Sequence, residues 1–367
     1  MLGPQEDRFE EWLRAPLPAT PQDARYDVRR ALPSEFDAIY DLVDEAFGVR
    51  RSRAKYDWIY RKNPYGLARC WIVIERATGK LVSSGADYPW PAAHGDARLP
   101  GFATGDSAVA GHLQRQGIEK LRLDVRRTHP WRDRSIHFAW PNERSVGRVR
   151  GHGFGEKLVG PIPRAALDLH ARTRLARRGW PSLLAGGVGA ALDAWAAALR
   201  GSSNGPSSEL RIAEVSHFDE RFDPVTERCM RWDGFWFPHD ARFLNWRYLD
   251  HPTQEYRALA LLRGETVVCY CVLALDGRRA TLMELATPGE PADVPGALLA
   301  TAAEAARDAG CDRIEFFATP GWRHWPLLRA ARFVERPSQT LLFLRNRAVA
   351  SSRIEEWQLI PGDHDVL

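Results

Sequence analysis

The sequence predicts an α/β fold built twice: two tandem domains, each a mixed, mostly antiparallel sheet flanked by helices. Three observations predict it. The chain has 367 residues, more than one ordinary domain uses. The motif Trp-x-Tyr-x-x-x-Pro occurs at Trp58, Tyr60 and Pro64, and again at Trp246, Tyr248 and Pro252, about 188 residues further on. After each copy the apolar pattern runs through the same succession: a hairpin, a long strand, a helix, a strand, a helix and a last strand. Duplication of a domain accounts for this order, and so long a period excludes a solenoid.

Residues 1–25 read as a charged extension and residues 26–170 as the first domain. Residues 70–90 (CWIVIERATGKLVSSGADYPW) are an apolar strand, a glycine-centred turn and a second strand. Residues 256–275 (YRALALLRGETVVCYCVLAL) repeat that hairpin in the second half. Residues 97–109 (ARLPGFATGDSAV) and 278–288 (RRATLMELATP) read as long strands, and apolar spacing places helices over 118–127 and 295–309. Short buried strands follow at 135–140 (SIHFAW) and 313–318 (RIEFFA). Each leads to a helical stretch closing on Phe154 or Phe333, then to a last strand through 157–161 or 339–344. A linker occupies 171–215, where Arg- and Ala-rich sequence gives way to GSSNGPSSE. The second domain spans 216–350, and 351–367 is a tail.

Apolar residues make up 44% of the chain and fourteen residues are Trp, enough to fill two cores. A net charge of +4 is small for this length and excludes wholesale nucleic-acid binding. Cys70, Cys229, Cys269, Cys271 and Cys311 have no metal-ligand spacing, so they read as packed thiols of a cytoplasmic protein without a metal. The N-terminal stretch MLGPQEDRFEEWLR lacks the apolar core of a secretory signal. Arg172, Arg174, Arg177 and Arg178 precede an apolar stretch, residues 179–199, whose length approaches a membrane span. Asp193, Pro181 and four glycines weaken that interpretation, and a linker helix packed between the domains is expected instead.

Residues 110–121 read AGHLQRQGIEKL, and they lie between the long strand and the helix of the first half. Gly117 offers a backbone without Cβ for close approach of a phosphate, and the amides of Arg115 through Glu119 open a helix whose dipole favours an anion. Lys120, Arg122, Arg126 and Arg127 supply further cations, or simply a solvated helix face. Glu119 stands where a small residue would suit a diphosphate; an acidic residue in a first helical turn also favours the dipole. The second half enters its helix through TPGEPADVPG and has no such turn.

The order of elements, the QRQGI turn and the stretch WPNERSVGRVRGHGF (140–154) together resemble the GCN5-related N-acetyltransferase (GNAT) superfamily, and more closely its bacterial tandem members. The resemblance covers about residues 26–345. It implies a sheet split between its fourth and fifth strands, with an acyl-CoA such as acetyl-CoA as cosubstrate in the gap. It assigns cosubstrate binding to Ala108, Val109, Gln114, Arg115, Gln116, Gly117, Ile118, Glu119 and Asn142. The family's usual Tyr general acid is missing, since the matching positions are Val149 and Leu328, which leaves water or His152 to protonate the departing thiolate. Asp106, a carboxylate on the presumed fourth strand, is the candidate general base, with Ser107 on the opposite face. Glu284 occupies the corresponding strand of the second half.

The expected activity is acyl-CoA-dependent N-acylation of a small amine, an amino sugar or another metabolite. Trp90, Trp140, Trp236 and Trp246 are available as aromatic walls, or as core. No nucleic acid and no firm membrane association are expected, and a homodimer is allowed. Two other readings remain: a degenerate transferase fold serving as a binding scaffold, and a tandem-fold transferase that uses aminoacyl-tRNA.

Overall fold

The computed structural model describes residues 9–17, 23–127, 135–141, 146, 156–200, 210–288, 293–345 and 353–364. Two mixed sheets organise it. The first runs in the order β1 (Tyr26–Arg30), β2 (Arg69–Glu75), β3 (Leu81–His94), β4 (Ala97–Val109), β5 (Ile136–Ala139), β15 (Leu342–Arg345) and β6 (Glu156–Val159). The second runs β14 (Val334–Arg336), β7 (Arg164–Asp168), β13 (Arg313–Phe317), β12 (Arg279–Ala286), β11 (Thr266–Asp276), β10 (Tyr256–Arg263) and β8 (Leu210–Glu214). The two hairpins and the two long strands form as their apolar runs predict. Residues 82–93 of β3 are buried without interruption, as in a strand covered on both faces.

Helices cover these faces for local reasons. The helix Phe36–Phe47 buries Phe36, Ile39, Tyr40 and Val43 on one stripe and ends on Gly48, left-handed at φ 66°. The helix Arg53–Tyr60 starts at Ser52, whose side chain accepts from the Lys55 amide. Its repeat starts at Asp240, which accepts from the Phe243 amide. Helices Ile118–Arg127 and Asp293–Asp308 follow β4 and β12. The helical stretch closing on Phe154 lies outside the described residues except for Val146, whereas its counterpart is the helix Trp325–Ala330.

The two halves exchange strands. β15, from the end of the second half, sits between β5 and β6 of the first sheet, antiparallel to both. β7, from the end of the first half, sits between β13 and β14 of the second sheet, again antiparallel to both. Each half therefore lends a strand to the other's sheet: the last strand read at 339–344 joins the first sheet as β15, the one read at 157–161 stays in its own as β6, and β7 is a strand the sequence reading did not include.

The repeated Trp-x-Tyr motif forms the joint. Trp58 and Trp246 stack with centroids 4.7 Å apart and planes 16° apart. Each indole Nε1 donates to the other's backbone carbonyl, at 2.7 Å from Trp58 and 3.0 Å from Trp246. The reciprocal bonding marks a pseudo-two-fold axis between the halves.

Two segments depart from expectation. The tail folds into the molecule: Trp357 to Asp363 are all buried, and β16 (Trp357–Gln358) pairs with β9 (Phe235–Trp236), which in turn pairs with β3. The apolar stretch at 179–199 forms the helix Ser182–Arg200, folded back on the helix Ala171–Arg177. It is not enclosed between domains, since Leu183 is 90% exposed. Among the described residues no helix is long and apolar enough to cross a membrane.

Candidate active site

β4 and β5 run parallel only over Gly101–Ala103 and Ile136–Phe138. Beyond that, β4 continues to Val109 while β5 stops at Ala139, so the strands part. On the far side of β4 the register with β3 slips: Ser84 opposes Ala108, but Ala86 opposes Gly105. Asp106 and Ser107 thus share Gly85 as their one partner, which is a β-bulge, and Asp106 takes a left-handed φ of 45°.

The bulge sends its two side chains to opposite faces. Asp106, with 5% of its side chain exposed, accepts from Arg51 Nη1 at 2.7 Å on one oxygen. Its other oxygen accepts from Tyr88 Oη at 2.7 Å and Tyr60 Oη at 3.1 Å. Burial, and next to it the Asp106 charge, hold both phenols far above their ordinary pKa, so they stay protonated donors. Burial would lower the Arg51 guanidinium, but the same carboxylate outweighs it and raises it. Arg51 keeps a quarter of its side chain exposed and lies over Asp106 as the group nearest solvent.

Ser107 faces the helix Ile118–Arg127. Its Oγ donates to Glu119 Oε1 at 2.8 Å and accepts from Arg122 Nη2 at 2.6 Å. Gly85 makes room for this: a Cβ there would fall 1.8 Å from Arg122 Nη1. Arg126 reaches Asp87 and lies 3.3 Å from both Thr104 Oγ1 and His137 Nδ1. Burial would raise the Asp87 carboxyl, yet Arg126 and His137 overcome it and hold it well below the usual carboxylate range. Arg122 and Arg126 are therefore buried partners of the sheet, not members of an exposed phosphate cluster. Lys120 is exposed and pairs with Asp124.

The turn ahead of this helix is exposed from Gln114 to Gly117. Arg115 at φ 64° and Gly117 at φ 81° are both left-handed, and a Cβ on Gly117 would meet nothing within 4 Å. Ile118 is buried beneath the helix start, and Ala108 and Val109 lie on β4 where it runs beyond β5. The Glu119 carboxylate is turned to Ser107 and Arg122 and not to the mouth of the turn. An acyl-CoA diphosphate fits this set: an open, twice left-handed backbone at a helix start, with the one nearby acid directed elsewhere.

The second half repeats the arrangement and then closes it. β12 and β13 pair over Arg279–Thr281 and Arg313–Glu315 before parting, and β12 bulges at Met283. Glu284 takes the place of Asp106: it accepts from Tyr248 Oη at 2.5 Å and lies 2.7 Å from His239 Nδ1. His239 stands as far before Tyr248 as Arg51 stands before Tyr60. The tail fills the remaining space. Asp363 Oδ1 lies 3.0 Å from His239 Nε2, and a Cβ on Gly362 would fall 2.3 Å from Glu284 Oε1. Burial would lower His239, but Glu284 and Asp363 raise its pKa to about 10, so it is an imidazolium between two carboxylates. Glu284 is thus buried behind the tail.

Family comparison bears on the first half. A family profile for an acetyltransferase (GNAT) domain matches residues 27–159, the segment holding the bulge, the parted strands and the turn. Residues 27–159 therefore match a GNAT domain. Several solved structures align along most of the chain's length. A probable N-acyltransferase from Enterococcus faecalis is 10% identical with a TM-score of 0.60, over 89% of this chain and 74% of that one. Eis1 from Mycobacterium abscessus is 15% identical with a TM-score of 0.55, over 88% and 74%. N-myristoyltransferase from Saccharomyces cerevisiae, with bound myristoyl-CoA, is 11% identical with a TM-score of 0.51, over 89% and 83%. No curated protein matches the sequence.

Of the residues expected at the site, Asp106, Ala108, Val109 and Gln114 to Glu119 are gathered along β4 and the turn that follows it. Asn142 and His152 lie outside the described residues. Trp90, Trp236 and Trp246 are buried core, while Trp140 is half-buried and donates from Nε1 to the Asp363 carbonyl at 3.1 Å. All five cysteines are buried, and among the described residues no cluster could hold a metal. Arg51, Tyr60 and Tyr88 went unassigned in the sequence. Extending the repeat seven residues upstream of Trp-x-Tyr would have paired Arg51 with His239.

Proposed function

We propose that this GNAT protein is an acyl-CoA-dependent N-acyltransferase whose first half carries the reaction, with a small amine as acceptor. The observation that supports it is the convergence, at one end of the first sheet, of the Asp106–Ser107 bulge, the parted β4 and β5, and the open turn at Gly117. Acyl-CoA would supply the activated thioester. The turn from Gln114 to Glu119 would hold its diphosphate, and Ala108 and Val109 would line the gap.

Asp106 is held by three donors, and a carboxylate fixed to a guanidinium is a poor base. The oxygen bound to Arg51 is the one nearest solvent. An acceptor's ammonium would replace Arg51 there, one cation for another, and the displaced guanidinium would leave Asp106 free to take the amine proton. Tyr60 and Tyr88 keep the second oxygen in place. The scaffold reading suits the second half alone, where the tail covers the equivalent carboxylate.

The test is calorimetric titration with acetyl-CoA and CoA, followed by acylation assays on a panel of amines. Saturable binding is expected, with a loss of about tenfold or more in Gly117→Val, whose side chain strains a left-handed residue and enters the phosphate space. Asp106→Asn should bind acyl-CoA normally yet lose about a hundredfold or more in kcat/KM. Absence of binding by any acyl-CoA would overturn the proposal.

A further inference from the structure

The helix Ser182–Arg200 carries an outward side that no function so far uses. Its inner side is defined by Ala185, which is buried, and Gly189, where a Cβ would fall 2.5 Å from the Arg172 backbone. The outward side is apolar throughout its described length: Leu183 is 90% exposed, Leu184 56%, Leu192 43% and Val188 40%, with Gly187, Ala190 and Ala191 between them. Trp180, 44% exposed, lies just ahead of the helix. No charged residue occurs from 179 to 192. A patch of this kind marks a docking surface.

Charge indicates what docks there. Four arginines, Arg172, Arg174, Arg177 and Arg178, precede the apolar stretch, and no acidic residue occurs from 169 to 192. Arg172 and Arg178 are exposed, on the helix and turn against which the apolar helix folds. An apolar helix face with a Trp at its edge and a basic rim matches the interfacial layer of an anionic bilayer, where acyl chains meet negative headgroups. A second copy of the chain fits less well, because an isologous contact across this face brings two basic rims together. The helix is too weakly apolar to cross a membrane, so it would lie along the surface. We propose that the hairpin formed by residues 171–200 docks the protein on anionic lipid surfaces through Leu183, Leu184, Val188 and Leu192. The proposal is independent of the acyl-transfer reading.

The test is co-sedimentation of the full chain with large unilamellar vesicles of phosphatidylcholine, with and without phosphatidylserine. Binding to the anionic vesicles is expected, weakened by salt. Leu183→Glu/Leu184→Glu should abolish it, and Arg174→Glu/Arg177→Glu/Arg178→Glu should weaken it by about a hundredfold or more. Thermal unfolding checks that both variants are folded, and Leu183→Ser/Leu184→Ser serves if the glutamates prevent folding. Equal binding to neutral vesicles overturns the anionic specificity. Failure to bind either vesicle overturns the proposal. So does a concentration-dependent dimer that Leu183→Glu/Leu184→Glu disrupts, without vesicle binding, since it assigns the face to self-association.

Discussion

The imidazolium of His239 makes the stability of the molecule depend on pH in a definite direction. His239 is fully buried, 2.7 Å from Glu284 and 3.0 Å from Asp363, and its pKa is raised to about 10. A group whose folded pKa is raised contributes stability that is complete below its unfolded pKa and disappears as pH climbs through the folded value. The window therefore opens near pH 6.5, the ordinary histidine value, and closes near pH 10. A tenfold gain in proton affinity on folding is worth about 1.4 kcal/mol, so the contribution is of order 4 kcal/mol near pH 7 and falls below about 1 kcal/mol near pH 10. Urea unfolding followed by Trp fluorescence, repeated across that range, should show the midpoint falling as pH rises. His239→Gln removes the titration while leaving lysines and tyrosines as they are. It should lower stability by about 3–5 kcal/mol near neutrality, because two buried carboxylates lose their cation, and it should flatten the alkaline slope. If wild type and variant lose stability in parallel between neutrality and pH 10, the buried triad is not an ion triad and the reasoning fails.

Two further outcomes follow from the joint and from the turn. Trp58→Ala removes one of the stacked indoles and its bond to the Trp246 carbonyl, and should cost about 3–5 kcal/mol by denaturant unfolding; a loss under about 1 kcal/mol would deny the joint its structural role. Glu119→Gln should change CoA affinity by less than about threefold at low salt, since a carboxylate turned to Ser107 and Arg122 does not face a bound diphosphate. A clear tightening by calorimetry would show that the charge does face it.

The periodic parts of the fold were legible in the sequence. Both hairpins, the helices after β4 and β12, and the buried β5 and β13 each occupy a run whose apolar spacing permits one structure. Strand exchange was not legible. β7 (RAALD) and β15 (LFLR) are short, and nothing in such a run states whether it completes its own sheet or its neighbour's. The tail was hidden for a related reason: residues 355–364 read as polar except at Trp357, Leu359 and Ile360, and burial of Asp363 depends on His239, 124 positions earlier. At the site, Asp106 was visible because a carboxylate on a central strand is unusual in burial terms. Arg51 was not visible, because Arg and His do not look alike until the structure shows each on its own bulge carboxylate.

On the proposed reading, that equivalence accounts for one half serving as the site and the other as its support. Both halves place an acid at the bulge and bind it with a Tyr from the Trp-x-Tyr motif and a cation from just upstream. In the first half the cation is Arg51, on a long flexible stem and a quarter exposed, so a competing cation can reach the carboxylate. In the second half it is His239, short, fully enclosed, and bound on its far nitrogen by Asp363. The backbone at Gly362 then occupies the space beside Glu284, where a methyl group would already collide. Asp363 also accepts from Trp90 Nε1 at 3.3 Å, and its carbonyl accepts from Trp140, so the segment that closes the second site braces a tryptophan of β3 and the one that follows β5. With β15 held between β5 and β6, the second half gives up its own cleft while supplying a strand and a brace to the half that keeps one.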